Sequence, residues 1–169
     1  MINKTALSCT SAAFGELSRE LLRMGKSIRF QARGVSMRPL VRDGDIMLVE
    51  PLGQGPIRLG EVLLLCSAGS ERLVAHRVVQ RQIKHGRIIY LVQGDQVTQP
   101  DGWMEQKQIL GRVSLVERDG VELDLEKPVM KALGKYAALR SRLGLGRLRL
   151  PNFGAKIARH LPFISVILK

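Results

Sequence analysis

From Ser27 to Leu125 the chain is a series of short apolar runs, each closed by a turn signal. Ile46 to Val49 follows Arg42-Asp43-Gly44-Asp45, and Val62 to Leu65 follows Leu59-Gly60. Leu73 to Val79 follows Ser67-Ala68-Gly69-Ser70, and Arg87 to Val92 follows Lys84-His85-Gly86. Ile109 to Val116 then leads through Asp119-Gly120 into Val121 to Leu125. Ser27 to Arg33 alternates loosely through Ile28, Phe30 and Ala32, as a strand does. An Asp-Gly pair between apolar runs is a hairpin signal, because both residues tolerate positive φ. Strands about ten residues apart, with no helix-length segment between them, predict a mainly β domain of antiparallel sheet.

Helices are expected only at the two ends. Residues 11–25 carry Ser11 as a candidate N-cap, Phe14, Leu17 and Leu21 on one face, and Gly25 as a stop. After Pro128, Met130, Leu133, Tyr136, Ala137 and Leu139 repeat at helical spacing until Gly144, Gly146 and Pro151 break the pattern. The expected division is therefore a helix in 1–26, a β domain in 27–126 and a basic amphipathic tail in 127–169.

Charge separates the tail from the body. The net charge is +12, yet residues 127–169 hold ten Lys/Arg and no acidic residue, while residues 1–126 sum to only +2. The tail is thus expected to meet an anionic partner. A basic amphipathic segment suits an anionic membrane surface. A nucleic-acid role is disfavoured, because Tyr90 and Trp103 lie outside the tail and aromatic residues are only 4% of the chain, too few for a base-stacking platform. No run of about 18 apolar residues predicts a transmembrane helix, and no basic-then-apolar N-terminus predicts a signal peptide. The expected location is cytoplasmic, with peripheral contact to the inner membrane face. Two cysteines and three histidines make neither a CxxC nor an HExxH site, so no metal and no cofactor is expected. Cys66, inside an apolar run, reads as a small buried hydrophobe, and Cys9 as an exposed thiol.

Three segments can carry chemistry. Ser36 lies in Gly34-Val35-Ser36-Met37-Arg38-Pro39, where glycine permits a tight backbone path and proline fixes the exit. A serine held there can present its hydroxyl as a nucleophile and its amide to an oxyanion. His76 lies inside the apolar run Leu73 to Val79, where a neutral imidazole can take a proton. Asp95 and Asp101 lie in a turn-rich stretch, and a carboxylate is the group that orients a histidine. Taken singly, each residue is more readily read as a turn former or a satisfied core group.

Taken in order, these segments resemble a family. Gly34-x-Ser36-Met37-x-Pro39, Arg42-x-Gly44-Asp45, Gly60-Glu61-Val62, His76-Arg77-Val78-Val79, Gly94-Asp95 with Asp101, and Gly111-Arg112-Val113 resemble the S24/S26 serine peptidases. That superfamily holds the type I signal peptidases and the LexA-like self-cleaving repressors. The resemblance covers about residues 27–118. Histidine at position 76, where many members have lysine, looks like the Ser-His signal peptidases of the endoplasmic reticulum and archaea. The resemblance implies coiled antiparallel sheets. It also implies Ser36 as nucleophile, His76 as general base and Asp101 as the orienting acid, with Asp95 supporting or replacing Asp101. Gly34, Met37, Pro39 and Arg77 would be supporting residues. The implied substrate is a precursor or leader peptide, bound as an added strand and cut after small residues.

Three departures accompany it. The transmembrane anchor of membrane signal peptidases is not matched. The hydroxyl that many of them carry two residues before the nucleophile is here Gly34, so a second oxyanion donor must come from elsewhere. The residues before Ser36 are too few for a repressor's DNA-binding domain and linker. Two alternatives stand beside the peptidase: a noncatalytic peptide-binding module on the same fold, and a LexA-like regulator touching nucleic acid through the tail. Trp103, next to Asp101-Gly102, is expected to pack under the active-site loop.

Overall fold

The computed structural model describes residues 11–66 and 73–145, with side chains from residue 13 onward. Cys9, His160, the Ser67–Ser70 turn and residues 146–169 of the tail lie outside the described residues. The elements are α1 (Ser11–Arg23), β1 (Ile28–Gln31), β2 (Ile46–Pro51), β3 (Val62–Cys66), β4 (Leu73–Lys84), β5 (Arg87–Gln93), β6 (Gly102–Glu105), β7 (Ile109–Arg118), β8 (Val121–Asp124) and α2 (Pro128–Arg142). The fold is mainly β, as the spacing of apolar runs predicts.

All pairings are antiparallel. The sheet runs β1-β2-β7-β3-β4-β5-β6, and β8 pairs with β7. Shifts of register interrupt three pairings: β2 with β7, where Ser114 is skipped, β3 with β7, where Leu110 is skipped, and β4 with β5, where Val79 is skipped. Such bulges bend a strand and raise its twist, which lets one sheet curl around two cores.

β3 explains why two cores exist. It is buried along Val62 to Leu65, because both of its faces are covered. Val62 and Leu64 join Leu22, Ile28, Met37, Leu40, Val41, Met47, Val49, Val113 and Val116. Leu63 and Leu65 join Ile57, Val78, Tyr90, Val92, Met104 and Ile109. A strand covered on both sides reads as a continuous apolar run rather than an alternating one.

The hairpin turns follow the sequence signals. Asp119 (φ 50°) and Gly120 (φ 76°) both have positive φ, as do His85 (φ 49°) and Gly86 (φ 73°). Positive φ at both central residues is the condition for a turn whose twist matches the flanking strands.

Four expectations need correction. β4 extends past Val79 to Lys84, because its outer half is polar, exposed and held by pairing to β5 rather than by apolar burial. β6 had no signal in the sequence; it is a four-residue strand formed by pairing to β5. Leu17 points outward at 47% exposure, while Ser18 and Leu22 face the body. Cys66 is only partly buried and accepts a hydrogen bond from Arg19 Nη2 at 2.9 Å.

α2 is docked on the body. Gly134, Ala137 and Ala138 are its buried residues. A Cβ added to Gly134 would lie 2.6 Å from the Gly60 carbonyl oxygen, so the helix meets the chain there backbone to backbone. No helix among the described residues is long and apolar enough to cross a membrane.

Candidate active site

Ser36 follows a backbone that only glycine adopts easily. Gly34 has φ 101°, and its N–H donates to Asp43 Oδ1 at 2.8 Å. Met37 then drops into the first core at 4% exposure, and the Val41 N–H donates to the Met37 carbonyl at 2.9 Å. The turn is thus pinned on both sides of Ser36. Val35 is left exposed, and the Arg38–Pro39 peptide is cis. Arg118 fastens the stretch that follows. Its Nη2 donates to the Leu40 carbonyl at 3.0 Å, and its guanidinium grips both oxygens of the buried Asp45 at 2.9 and 2.6 Å.

The segment after β5 closes over this turn. The Gln96 N–H donates to the Ser36 carbonyl at 2.8 Å, and Gln96 Nε2 donates to the Arg38 carbonyl at 3.0 Å. Gly94 presses against the same place: a Cβ there would lie 3.0 Å from the Ser36 carbonyl and 3.0 Å from His76 Nε2. Neither Gln96 nor this use of Gly94 is signalled in the sequence, since both depend on two distant loops meeting.

Successive residues of β4 face opposite sides of the sheet, and two neighbours use this. His76 points to Ser36. Its Nε2 lies 3.0 Å from Ser36 Oγ, and its Nδ1 is hydrogen-bonded to Asp101 Oδ2. The imidazole is buried, while the Asp101 carboxylate stays 30% exposed. Asp101 is fixed by its own backbone, whose N–H donates to the Val92 carbonyl at 2.9 Å. Ser36, His76 and Asp101 therefore form one continuous hydrogen-bonded chain, although 40 and 25 residues separate its successive members.

Arg77 points the other way and is buried. Its Nε and Nη2 grip Asp95 at 2.7 and 2.6 Å, and its Nη1 donates to the Gly60 carbonyl at 2.7 Å. Asp95 is thus fully engaged by a guanidinium fork and does not contact His76. The two aspartates left open by the sequence take different places: Asp101 on the imidazole, Asp95 on Arg77. The Gly134 site of α2 lies against the same guanidinium, with an added Cβ 3.2 Å from Arg77 Nη1.

Chemically, the constellation supplies a hydroxyl, an imidazole to accept its proton and a carboxylate to hold the imidazole in one tautomer. No described residue accepts a hydrogen bond from the Ser36 N–H, which leaves that donor available. The Gly34 N–H is occupied by Asp43. Trp103 stands on β6 opposite Leu91 and is 38% exposed.

No family model matches the chain. It is similar to curated proteins described as signal peptidase complex catalytic subunits. The SEC11C subunit of Homo sapiens is 30% identical over 86 residues, covering 46% of this chain and 45% of that protein. The SEC11C subunit of Canis lupus familiaris gives the same values. The putative SEC11B subunit of Homo sapiens is 29% identical over 86 residues, covering 52% of its length. The chain thus spans about half the length of the curated relatives it matches.

Proposed function

We propose that this chain is a serine endopeptidase of the signal-peptidase type that cuts a precursor or leader peptide after small residues. The observation that carries the reading is the continuous Ser36–His76–Asp101 chain, with Ser36 Oγ 3.0 Å from the imidazole. The similarity to signal peptidase catalytic subunits supports the same reaction class. Histidine at position 76, where many S24/S26 members have lysine, resembles the Ser-His signal peptidases and supports the same reading.

In this mechanism Ser36 Oγ attacks the carbonyl carbon of the scissile peptide as its proton passes to His76 Nε2. Asp101 accepts the Nδ1 proton in a hydrogen bond, which keeps Nε2 free as acceptor and stabilises the imidazolium. The tetrahedral oxyanion is met by the Ser36 N–H. His76 then returns the proton to the leaving amine, and the acyl group rests on Ser36. A water molecule, deprotonated by His76, attacks the ester; the acyl C–Oγ bond breaks, His76 returns the proton to Ser36 Oγ, and the new carboxylate is freed. Proton transfer of this kind contributes about 10²–10⁴-fold to rate.

The test is a digest of a peptide library read by mass spectrometry, with wild type, Ser36→Ala and His76→Ala in parallel. Cuts after small residues, made by wild type and lost in both variants, are expected. An uncut library with all three proteins folded would sink the general endopeptidase reading. Retained binding of extended peptides in that case would point to a noncatalytic binding module.

A further inference from the structure

α2 has two apolar faces, and only one of them is used by the fold. Gly134, Ala137 and Ala138 are buried against the body. Val129, Tyr136, Leu139 and Leu143 are 62%, 50%, 53% and 59% exposed. At 3.6 residues per turn these four fall within an arc of about 80°, on the far side of the helix from the buried three. Globular helices ordinarily carry a polar outer face, so a second apolar stripe asks for an occupant.

The charges beside the stripe say which occupant. Lys135 and Arg142 line one flank and Arg140 the other, while Lys131, further round toward the body, is paired with Glu126 at 2.7 Å. α2 contains no acidic residue, and residues 127–169 carry ten Lys/Arg with none. Arg140 lies over the Tyr136 ring at 5.9 Å and donates to its hydroxyl at 3.3 Å. That pair sets an amphipathic ring and a cation at the border between stripe and flank, as at a bilayer headgroup level. A nucleic acid would be met by the cations but would leave the aliphatic stripe in water. An acidic protein groove is the other occupant that could take both, and failure to bind protein-free anionic vesicles would point to it.

We propose that the outer face of α2 lies on an anionic lipid bilayer, with Val129, Tyr136, Leu139 and Leu143 in the acyl boundary and Lys135, Arg140 and Arg142 among the headgroups. The inference stands apart from the peptidase reading, because it uses no residue of the Ser36 site.

The full chain is mixed with phosphatidylcholine vesicles, with or without about 30 mol% phosphatidylserine, and sedimented. Binding is expected only to the anionic vesicles. Lys135→Gln with Arg142→Gln should lower the partition coefficient about 30-fold. Leu139→Ser with Leu143→Ser should lower it about tenfold or more. All four positions are at or near the surface, and unchanged thermal melting confirms that the variants remain folded. Because Trp103 is the sole tryptophan, Trp103→Phe with Tyr136→Trp reports on this face alone. Its emission should shift to the blue on anionic vesicles and be quenched by brominated lipid. Four outcomes would overturn the proposal: no vesicle binding; equal binding to neutral vesicles; sedimentation with an unshifted Tyr136→Trp emission, which would assign the contact to another segment; or variants that bind as wild type. Duplex DNA binding lost in the same variants, with no vesicle binding by wild type, would give the face to nucleic acid instead.

Discussion

Gly94→Ala tests whether the imidazole works from the position it occupies. The glycine has no special φ, so the substitution acts only through space. The new methyl would sit 2.9 Å from Val97 Cγ2, 3.0 Å from the Ser36 carbonyl oxygen and 3.0 Å from His76 Nε2, where ordinary contact starts at 3.4 Å. Val97 is the end of a side chain and can rotate away. The Ser36 carbonyl is held by the Gln96 N–H at 2.8 Å and has little room to retreat. The imidazole must therefore yield by about 0.4 Å, which stretches the 3.0 Å link to Ser36 Oγ to the edge of hydrogen-bonding range. A misplacement of 1 Å can cost about 10²-fold in rate, so a shift of this size should lower kcat about tenfold. KM should stay within about twofold, since the lost interaction belongs to the transition state. Overpacking should also cost about 1–3 kcal/mol of stability. The assay is steady-state cleavage of a peptide chosen from the library digest, with thermal melting alongside. A folded Gly94→Ala protein with wild-type kcat would refute the reasoning, because the base would then not depend on the Ser36–His76 distance.

Three further outcomes are expected. Asp101→Asn should lower kcat about 10²–10⁴-fold with little change in melting temperature, because it removes the acceptor that fixes the imidazole tautomer while altering a partly exposed side chain. Asp95→Asn should destabilise the fold by about 3–5 kcal/mol in chemical denaturation, since it leaves the buried Arg77 guanidinium without its counter-charge. Gly134→Ala should lower stability by about 1–3 kcal/mol and speed hydrogen exchange in α2, because its Cβ would meet the Gly60 carbonyl at 2.6 Å.

Much of the architecture was legible because the chain writes its strands locally. Apolar runs such as Val62 to Leu65, and turn pairs such as Asp119-Gly120, need no knowledge of the rest of the fold. β6 was not legible, because four residues without alternation become a strand only when β5 offers an edge. The site shows the same division. Ser36 and His76 are singled out by the order of the motifs around them, not by either local setting alone. Whether Asp95 or Asp101 reaches the imidazole depends on where the segment after β5 folds back, which periodicity does not carry. Leu17 faces outward although its spacing suggests burial, because the buried side of α1 is lined by Gly15 and Ser18, small residues that allow a close approach to the body. Their size, not their hydropathy, sets the contact.

The contact between Gly60 and Gly134 also fixes the angular phase of α2. Two glycines meeting backbone to backbone leave one position on the helix that can face Gly60, because any other residue would bring a side chain into the gap. Inserting or deleting a single residue between Asp124 and Gly134 would offset that position by about 100° of helix rotation. To keep the glycine contact, the chain leaving β8 would have to absorb the extra or missing residue in its short connection. To keep the connection, the helix would have to turn its outer stripe away from its present direction. The number of residues between β8 and Gly134 is thus as much a constraint on this protein as their identities, and length variation among its descendants should concentrate in the β4–β5 hairpin rather than here.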